Sequence, residues 1–160
     1  MAKKIHKFKN FRASQDGVEL KLDLSSLADR LNRAQFALDS AVMTSMVPYM
    51  PMQDGTFINL VRAKSASVAG SGEVYAAVPP SGRFLYEGKN MVDVQTGSPW
   101  ARKGAKKVLV SQYGGKTNAR ENLSFSSSTH PKARPHWFDA AKEADLKKWE
   151  SVTQKQVGGK

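Results

Sequence analysis

Apolar and polar residues alternate along residues 17–23. Val18, Leu20 and Leu22 face one way, and Glu19, Lys21 and Asp23 the other. A period of two predicts a half-buried strand. The period then lengthens. Leu24, Leu27, Leu31, Ala34, Leu38, Ala41 and Met46 recur at a spacing near three to four. That predicts one apolar stripe on a helix of roughly 20 residues, about 30 Å long. Ser25 or Ser26 can cap its start, with Asp29 at capping-box spacing from Ser26. Pro48 ends it. Such a stripe can pack on the chain's own sheet or seam to a neighbouring subunit.

Residues 48–55, PYMPMQDG, are irregular, because two prolines remove donors and Asp54-Gly55 signals a turn. Residues 56–69 fit a short helix or a strand. The stretch ASVAGSGEVYAAV predicts a hairpin around Gly70-Ser71-Gly72. PPSGRFLYEG at 79–88 predicts one or two helical turns, proline at the start and Gly88 at C′. Periodicity is then lost through 89–121, apart from the apolar run Val108-Leu109-Val110. Residues 122–128, NLSFSSS, could add a last strand. A final helix begins near Pro135, with Phe138, Ala141, Leu146, Trp149 and Val152 at helical spacing and Asp145 interrupting the face. Its tryptophans can each bury on the order of 200 Å², so they pin an otherwise polar helix to the chain's own sheet or to another chain.

The expected fold is α+β: a small antiparallel sheet, a long N-terminal helix packed on it, a short helix, a long basic loop and a C-terminal helix. Residues 1–16 form a basic arm, and 17–157 a single domain with the extended loop 89–121.

Charge sharpens this picture. The chain has 160 residues and a formal charge of +11. Residues 1–12 carry Lys3, Lys4, Lys7, Lys9 and Arg12 and no acid. Residues 101–134 carry Arg102, Lys103, Lys106, Lys107, Lys116, Arg120, Lys132 and Arg134 against Glu121 alone. The remainder is nearly neutral, so a balanced body bears two basic appendages suited to polyanions, nucleic acid or an acidic protein surface. No apolar run is long enough for a membrane span, and the N-terminus lacks the apolar core of a secretory signal. There are no cysteines, which excludes disulfides and thiolate chemistry and fits a reducing compartment at synthesis.

Candidate chemistry is thin. His130 and His136 lie six apart across prolines, which is not a recurrent zinc spacing. SFSSSTH has no nucleophile elbow. Gly70-Ser71-Gly72 lacks the third glycine and the helix of a dinucleotide fingerprint. Tyr113-Gly114-Gly115-Lys116-Thr117 ends like a phosphate loop, but Val110 stands where the motif needs glycine. No catalytic residue, cofactor or metal ligand is expected, and the chain should act by binding.

The order VELKLDLSSLADRLNRAQFALDS, PYMPMQDG, EVYAAVPPSGRFLYEGK and HPKARPHWFDAAKEADLKKW resembles the minor capsid, or head–tail connector, proteins of long-tailed bacteriophages, which are sometimes grouped with tail-completion proteins. Tyr49, Pro51 and Gly55 match the family's first motif. Tyr75, Pro80, Arg83, Leu85, Tyr86 and Gly88 match the second. His130, Pro131, Trp137, Phe138, Ala140, Lys142 and Trp149 match the third. The match runs from about residue 18 to 150. The family's usual Tyr-Ala in the second motif is Ser81-Gly82 here.

The resemblance implies a non-catalytic structural protein of the virion neck, assembled in the host bacterial cytoplasm. It implies a sixfold or twelvefold homo-oligomeric ring joining head to tail. Neighbouring rings on the portal, adaptor or stopper side and on the tail-terminator or tail-tube side are its partners, with no membrane involved. The loop bearing Arg102, Lys103, Lys106, Lys107, Lys116 and Arg120 would then face channel DNA or an adjacent ring. DNA contacts of this kind go to phosphates and are non-specific in sequence. The alternative from the same charges is a sequence-independent nucleic-acid-binding protein using its basic arms.

Overall fold

A computed structural model describes residues 5–79, 82–100 and 103–158. Among these the order is β1 (Phe11–Gln15), β2 (Val18–Leu22), α1 (Ser25–Met46), α2 (Thr56–Val68), α3 (Gly82–Glu87), β3 (Met91–Asp93), β4 (Lys107–Leu109) and α4 (Trp137–Gly158), with 3-10 turns at Val47–Tyr49 and Val110–Gln112. The fold is α+β, with a long N-terminal and a long C-terminal helix. Its strands form two separate antiparallel pairs, β1–β2 and β3–β4.

The chain divides into two compact units. The first comprises Met1–Ser45, Arg62–Tyr75 and Ala141–Lys160; the second comprises Met46–Val61 and Ala76–Ala140.

In the first unit, Asp16 and Gly17 take φ of 51° and 80°. These are the two positive values of a type I′ turn, whose twist suits a tight hairpin. The turn joins β1 to β2 in the register Phe11↔Leu22, Ala13↔Leu20 and Gln15↔Val18. The alternation of Val18, Leu20 and Leu22 is thus a strand, but not a half-buried one: every residue of both strands is exposed. α1 therefore takes its burial from helical neighbours rather than from this ribbon. Its start is held by Asp23, whose Oδ1 accepts the Ser25 N–H at 2.9 Å.

The buried face of α1 is also rotated from the expected stripe. Ala34, Asp39, Val42, Met43 and Ser45 are buried, while Leu38 and Ala41 are only half-buried. A carboxylate turns inward because backbone amides need it. Asp39 Oδ2 accepts the Gly70 N–H at 2.7 Å and the Gly72 N–H at 3.2 Å, and its Oδ1 accepts Gln35 Nε2 at 2.8 Å.

This cradle also overturns the hairpin expected around Gly70-Ser71-Gly72. Residues 56–68 are helix, and the glycines form the turn that leaves it. Gly70 and Gly72 take φ of 89° and 80° there, left-handed values that suit glycine, and this turns their amides toward Asp39 rather than into a strand pair. Beyond the turn, Ser65 Oγ bridges the Tyr75 N–H at 3.1 Å and the Tyr75 carbonyl at 3.3 Å. From α4, Ala141 and Trp149 enter this core at 0% and 4% exposure. The Trp149 indole N–H donates to Ser45 Oγ at 3.0 Å.

In the second unit, Met46, Met50, Ile58, Val61, Val78, Val92 and Trp137 are buried. α3 ends in a Schellman motif: Gly88 N–H donates to Leu85 O at 3.1 Å and Lys89 N–H to Phe84 O at 3.0 Å. Gly88 has φ 66°, and a Cβ there would stand 2.9 Å from Pro135 Cβ. The C′ glycine expected from sequence is therefore required twice over, by conformation and by contact.

Within 89–121 the chain forms β3 and β4, paired Met91↔Leu109 and Asp93↔Lys107. Buried Asp93 shapes the turn between them, its Oδ1 accepting Gln95 N–H at 2.7 Å and Thr96 N–H at 3.2 Å. The last strand expected at 122–128 reduces to a single bridge, Lys89↔Asn122.

Candidate functional site

Trp137 organises the second unit. It is fully buried, and its indole N–H donates to Ala76 O at 2.8 Å. Phe57 and Tyr86 meet its ring edge-on, with centroids 5.9 and 4.9 Å away, geometries that add to the burial itself. His136 precedes α4 with φ 51°. Its N–H donates to Tyr86 O at 2.8 Å, and its ring lies 5.1 Å from that of Tyr86. The phenol donates to Asp139 Oδ2 at 3.4 Å. Burial, and then the charge of Asp139, hold the Tyr86 pKa above its usual value.

The Pro-Tyr-Met-Pro turn is fastened to the chain before α4. His130 Nδ1 lies 2.8 Å from Met50 O, and Arg134 N–H donates to Tyr49 O at 3.0 Å. The cations of Lys132 and Arg134 sit 5.7 and 5.5 Å from the Tyr49 ring centroid, within cation–π range. Residues of three separated motifs thus meet along the segment 130–137: Tyr49 and Met50 against His130 and Arg134, and Tyr86 and Gly88 against Pro135, His136 and Trp137. His130 and His136 serve backbone and aromatic packing. Among the described residues no group of three His, Asp or Glu could hold a metal ion.

Beside this cluster lies a groove of about 680 Å³, lined by Pro51, Phe57, Leu60, Leu85, Leu123 and Phe125 among others. Gly55 lines it as well. Residues 124–129 run along it, and none of their backbone groups makes a backbone–backbone bond among the described residues.

The basic segment has a different character. Lys103, Lys106, Lys107, Lys116 and Arg120 are all exposed, and among the described residues none forms an ion pair. Lys107 Nζ donates to Pro99 O at 3.0 Å. Trp100, next to this segment, is 88% exposed. The Gly-Gly-Lys-Thr sequence makes no phosphate cradle. Tyr113 packs over Gly97 and Gly115, where a Cβ would come within 2.6 and 2.8 Å of its ring. Thr117 Oγ1 donates to Gly97 O at 2.6 Å.

The other anticipated positions scatter. Arg83 and Pro131 are exposed, and Phe138 is half-buried at the start of α4. Tyr75 and Trp149 belong to the first unit. Pro80 and Arg102 lie outside the described residues. Sequence reasoning missed Phe57, Asp39, Asp93 and Trp100. An acid at a helix position flanked by apolar residues was the available signal for Asp39, and an aromatic against a lysine run was the signal for Trp100.

No helix among the described residues is long and apolar enough to cross a membrane. Comparison of the chain with family models, with curated proteins and with solved structures finds no match.

Proposed function

We propose that this chain is a structural protein of a phage neck, acting without catalysis as one subunit of a ring that joins head to tail. The observation that carries the reading is that residues of all three motifs, Tyr49, Tyr86, Gly88, His130 and Trp137, meet along the segment 130–137. The three motifs that resemble connector proteins thus share one packing segment, which supports reading them together. The unpaired cations at 103–120 supply the electrostatic contact, to channel DNA or to an acidic neighbouring ring. Repetition around a sixfold or twelvefold ring multiplies a few charges into a continuous belt.

The test is to locate the chain in finished particles, by mass spectrometry of purified virions and labelling at the neck. Particles that join heads to tails in its absence would refute the reading.

Trp100 favours a second reading. An exposed indole beside unpaired lysines is the pairing with which proteins hold nucleic acid by stacking and phosphate contact. A sequence-independent nucleic-acid-binding protein would bind tightly as a single subunit, with a steep salt slope. The neck reading expects weak binding before ring formation. Filter binding at two salt concentrations separates them.

A further inference from the structure

The β3–β4 hairpin brings lysines from two other stretches of chain to the segment that carries an uncovered indole. Pairing continues past β3, where Val94 N–H donates to Lys106 O at 3.1 Å. The turn above it closes on itself: Asp93 N–H donates to Ser98 O at 2.8 Å, and Gly97 N–H to Asp93 O at 2.9 Å. Ser98 Oγ then accepts the Trp100 N–H at 3.1 Å, and Lys107 Nζ donates to Pro99 O at 3.0 Å. The other stretch arrives at Gly97, which is buried. Thr117 Oγ1 donates to the Gly97 carbonyl at 2.6 Å, and a Cβ on Gly97 would stand 2.9 Å from Lys116 O.

Lys106, Lys107 and Lys116 are exposed, and among the described residues none forms an ion pair. No acid occurs between Asp93 and Glu121 in the sequence. Asp93 is itself 2% exposed, with Oδ1 occupied by the Gln95 and Thr96 N–H groups, and Glu121 pairs with Lys89. Trp100, 88% exposed, makes no ring–ring or cation–π contact among the described residues.

The ligand must satisfy a flat apolar ring and several cations at once. A protein partner fits poorly, because interface cores are depleted in lysine. A lipid surface takes a broad apolar face, and Trp100 is the one large apolar residue between 95 and 107. Duplex DNA keeps its bases stacked inside, so it would meet the lysines and leave the indole in water. An unpaired strand offers base faces and phosphates together.

We infer that Trp100, Lys106, Lys107 and Lys116 form a stacking site for single-stranded nucleic acid. The indole takes an unpaired base, and the lysines take the flanking phosphates. The site reads no sequence, since every base has a π-face. The inference narrows the nucleic-acid contact proposed above for the basic segment, and it rests on that reading.

The chain carries its own reporter. Of its three tryptophans, Trp137 and Trp149 are 0% and 4% exposed, so a ligand stacking on an indole quenches Trp100. Titrating the full-length protein at low salt with a thymidine oligonucleotide should quench its emission, and a long blunt duplex of equal phosphate content should not. By anisotropy of the labelled oligonucleotide, Trp100→Ala should weaken single-strand binding about 5- to 150-fold, the loss of one stacked base, with duplex binding unchanged. Trp100→Phe should recover part of the loss, which a misfolded chain would not. Equal single-strand affinity for Trp100→Ala and the unaltered chain overturns the inference and leaves the lysine–phosphate contact standing. Tighter binding of duplex than of single strand overturns it in the same way. Quenching by vesicles of anionic phospholipid but not by the oligonucleotide assigns the indole to a membrane and overturns it as well. A chain that binds neither strand nor duplex at low salt removes both this site and the nucleic-acid reading beneath it.

Discussion

The carboxylate of Asp39 stands 2.7 Å from the amide nitrogen of Gly70, 31 residues away, with both residues buried. The same side chain also serves Gly72 and Gln35. Asp39→Ala would leave a buried amide without an acceptor, and we expect a loss of about 2–4 kcal/mol. Asp39→Asn keeps an acceptor oxygen and should lose about 1–2 kcal/mol. Urea midpoints at unchanged slope would measure both.

Trp137→Phe retains most of the burial but strips the donor from Ala76 O. It should destabilise by about 1–3 kcal/mol, the range for orphaning a buried polar group. Trp137→Ala should lose about 3–5 kcal/mol through the cavity as well. A Trp137→Phe variant with unaltered thermal stability would contradict the role given to this hydrogen bond.

Gly88→Ala combines a left-handed backbone with a Cβ pressed against Pro135. A loss of at least about 1–3 kcal/mol follows from the conformation alone. Gly17→Ala, with nothing within 4 Å of its Cβ, should be milder. The ranking of the two by denaturation midpoint is the check.

Stability should fall at alkaline pH through Tyr86. Its folded pKa lies above the ordinary value of 10.0, first because of burial and then because of Asp139. Below that ordinary value both states are neutral and the contribution is fully present. Above it the unfolded chain ionises first, so stability is lost as pH rises through the folded value. Tyr86→Phe should remove this alkaline component. At the acid end, Asp23 and Asp54 are lowered from 3.8, chiefly by the Ser25 and Thr56 backbone N–H groups. Their contribution is present above that value and disappears as pH drops through the folded one.

Replacing Lys103, Lys106, Lys107, Lys116 and Arg120 by Gln should leave thermal stability within about 0.5 kcal/mol, because exposed unpaired charges add little to folding. Polyanion affinity should fall, and its salt slope should flatten by about 0.9 for each phosphate contact removed. An unchanged slope would show that these cations touch no phosphates.

The α+β class, the long first helix ending by Pro48, the α3 turns closed by Gly88 and the last helix were legible because each carries a local signal: period, proline, C′ glycine, tryptophan spacing. The packing of Phe57, Ala76 and Tyr86 around Trp137 was not, since contacts between residues 57, 76, 86 and 137 leave no local pattern. The hairpin turn at Asp16-Gly17 was legible in principle, because Asp-Gly ahead of an alternating run is a strong type I′ signal. The ambiguity at 56–69 and the wrong hairpin after it share one cause. Small residues such as Ala66, Ala69, Gly70 and Gly72 suit a helix exit over a carboxylate as well as a turn between strands, and only Asp39 decides.

The bond from Trp149 to Ser45 spans 104 residues, and it has a consequence for biosynthesis. The first unit draws on the beginning, the middle and the end of the chain. α1 is translated first, and the indole that bonds its Ser45 follows 104 residues later. Until then Ser45 lacks its indole partner and this part of the unit is incomplete, so the nascent polypeptide exposes apolar surface. Completion of this unit therefore waits for α4, and a stop codon before Trp149 would leave it unfinished.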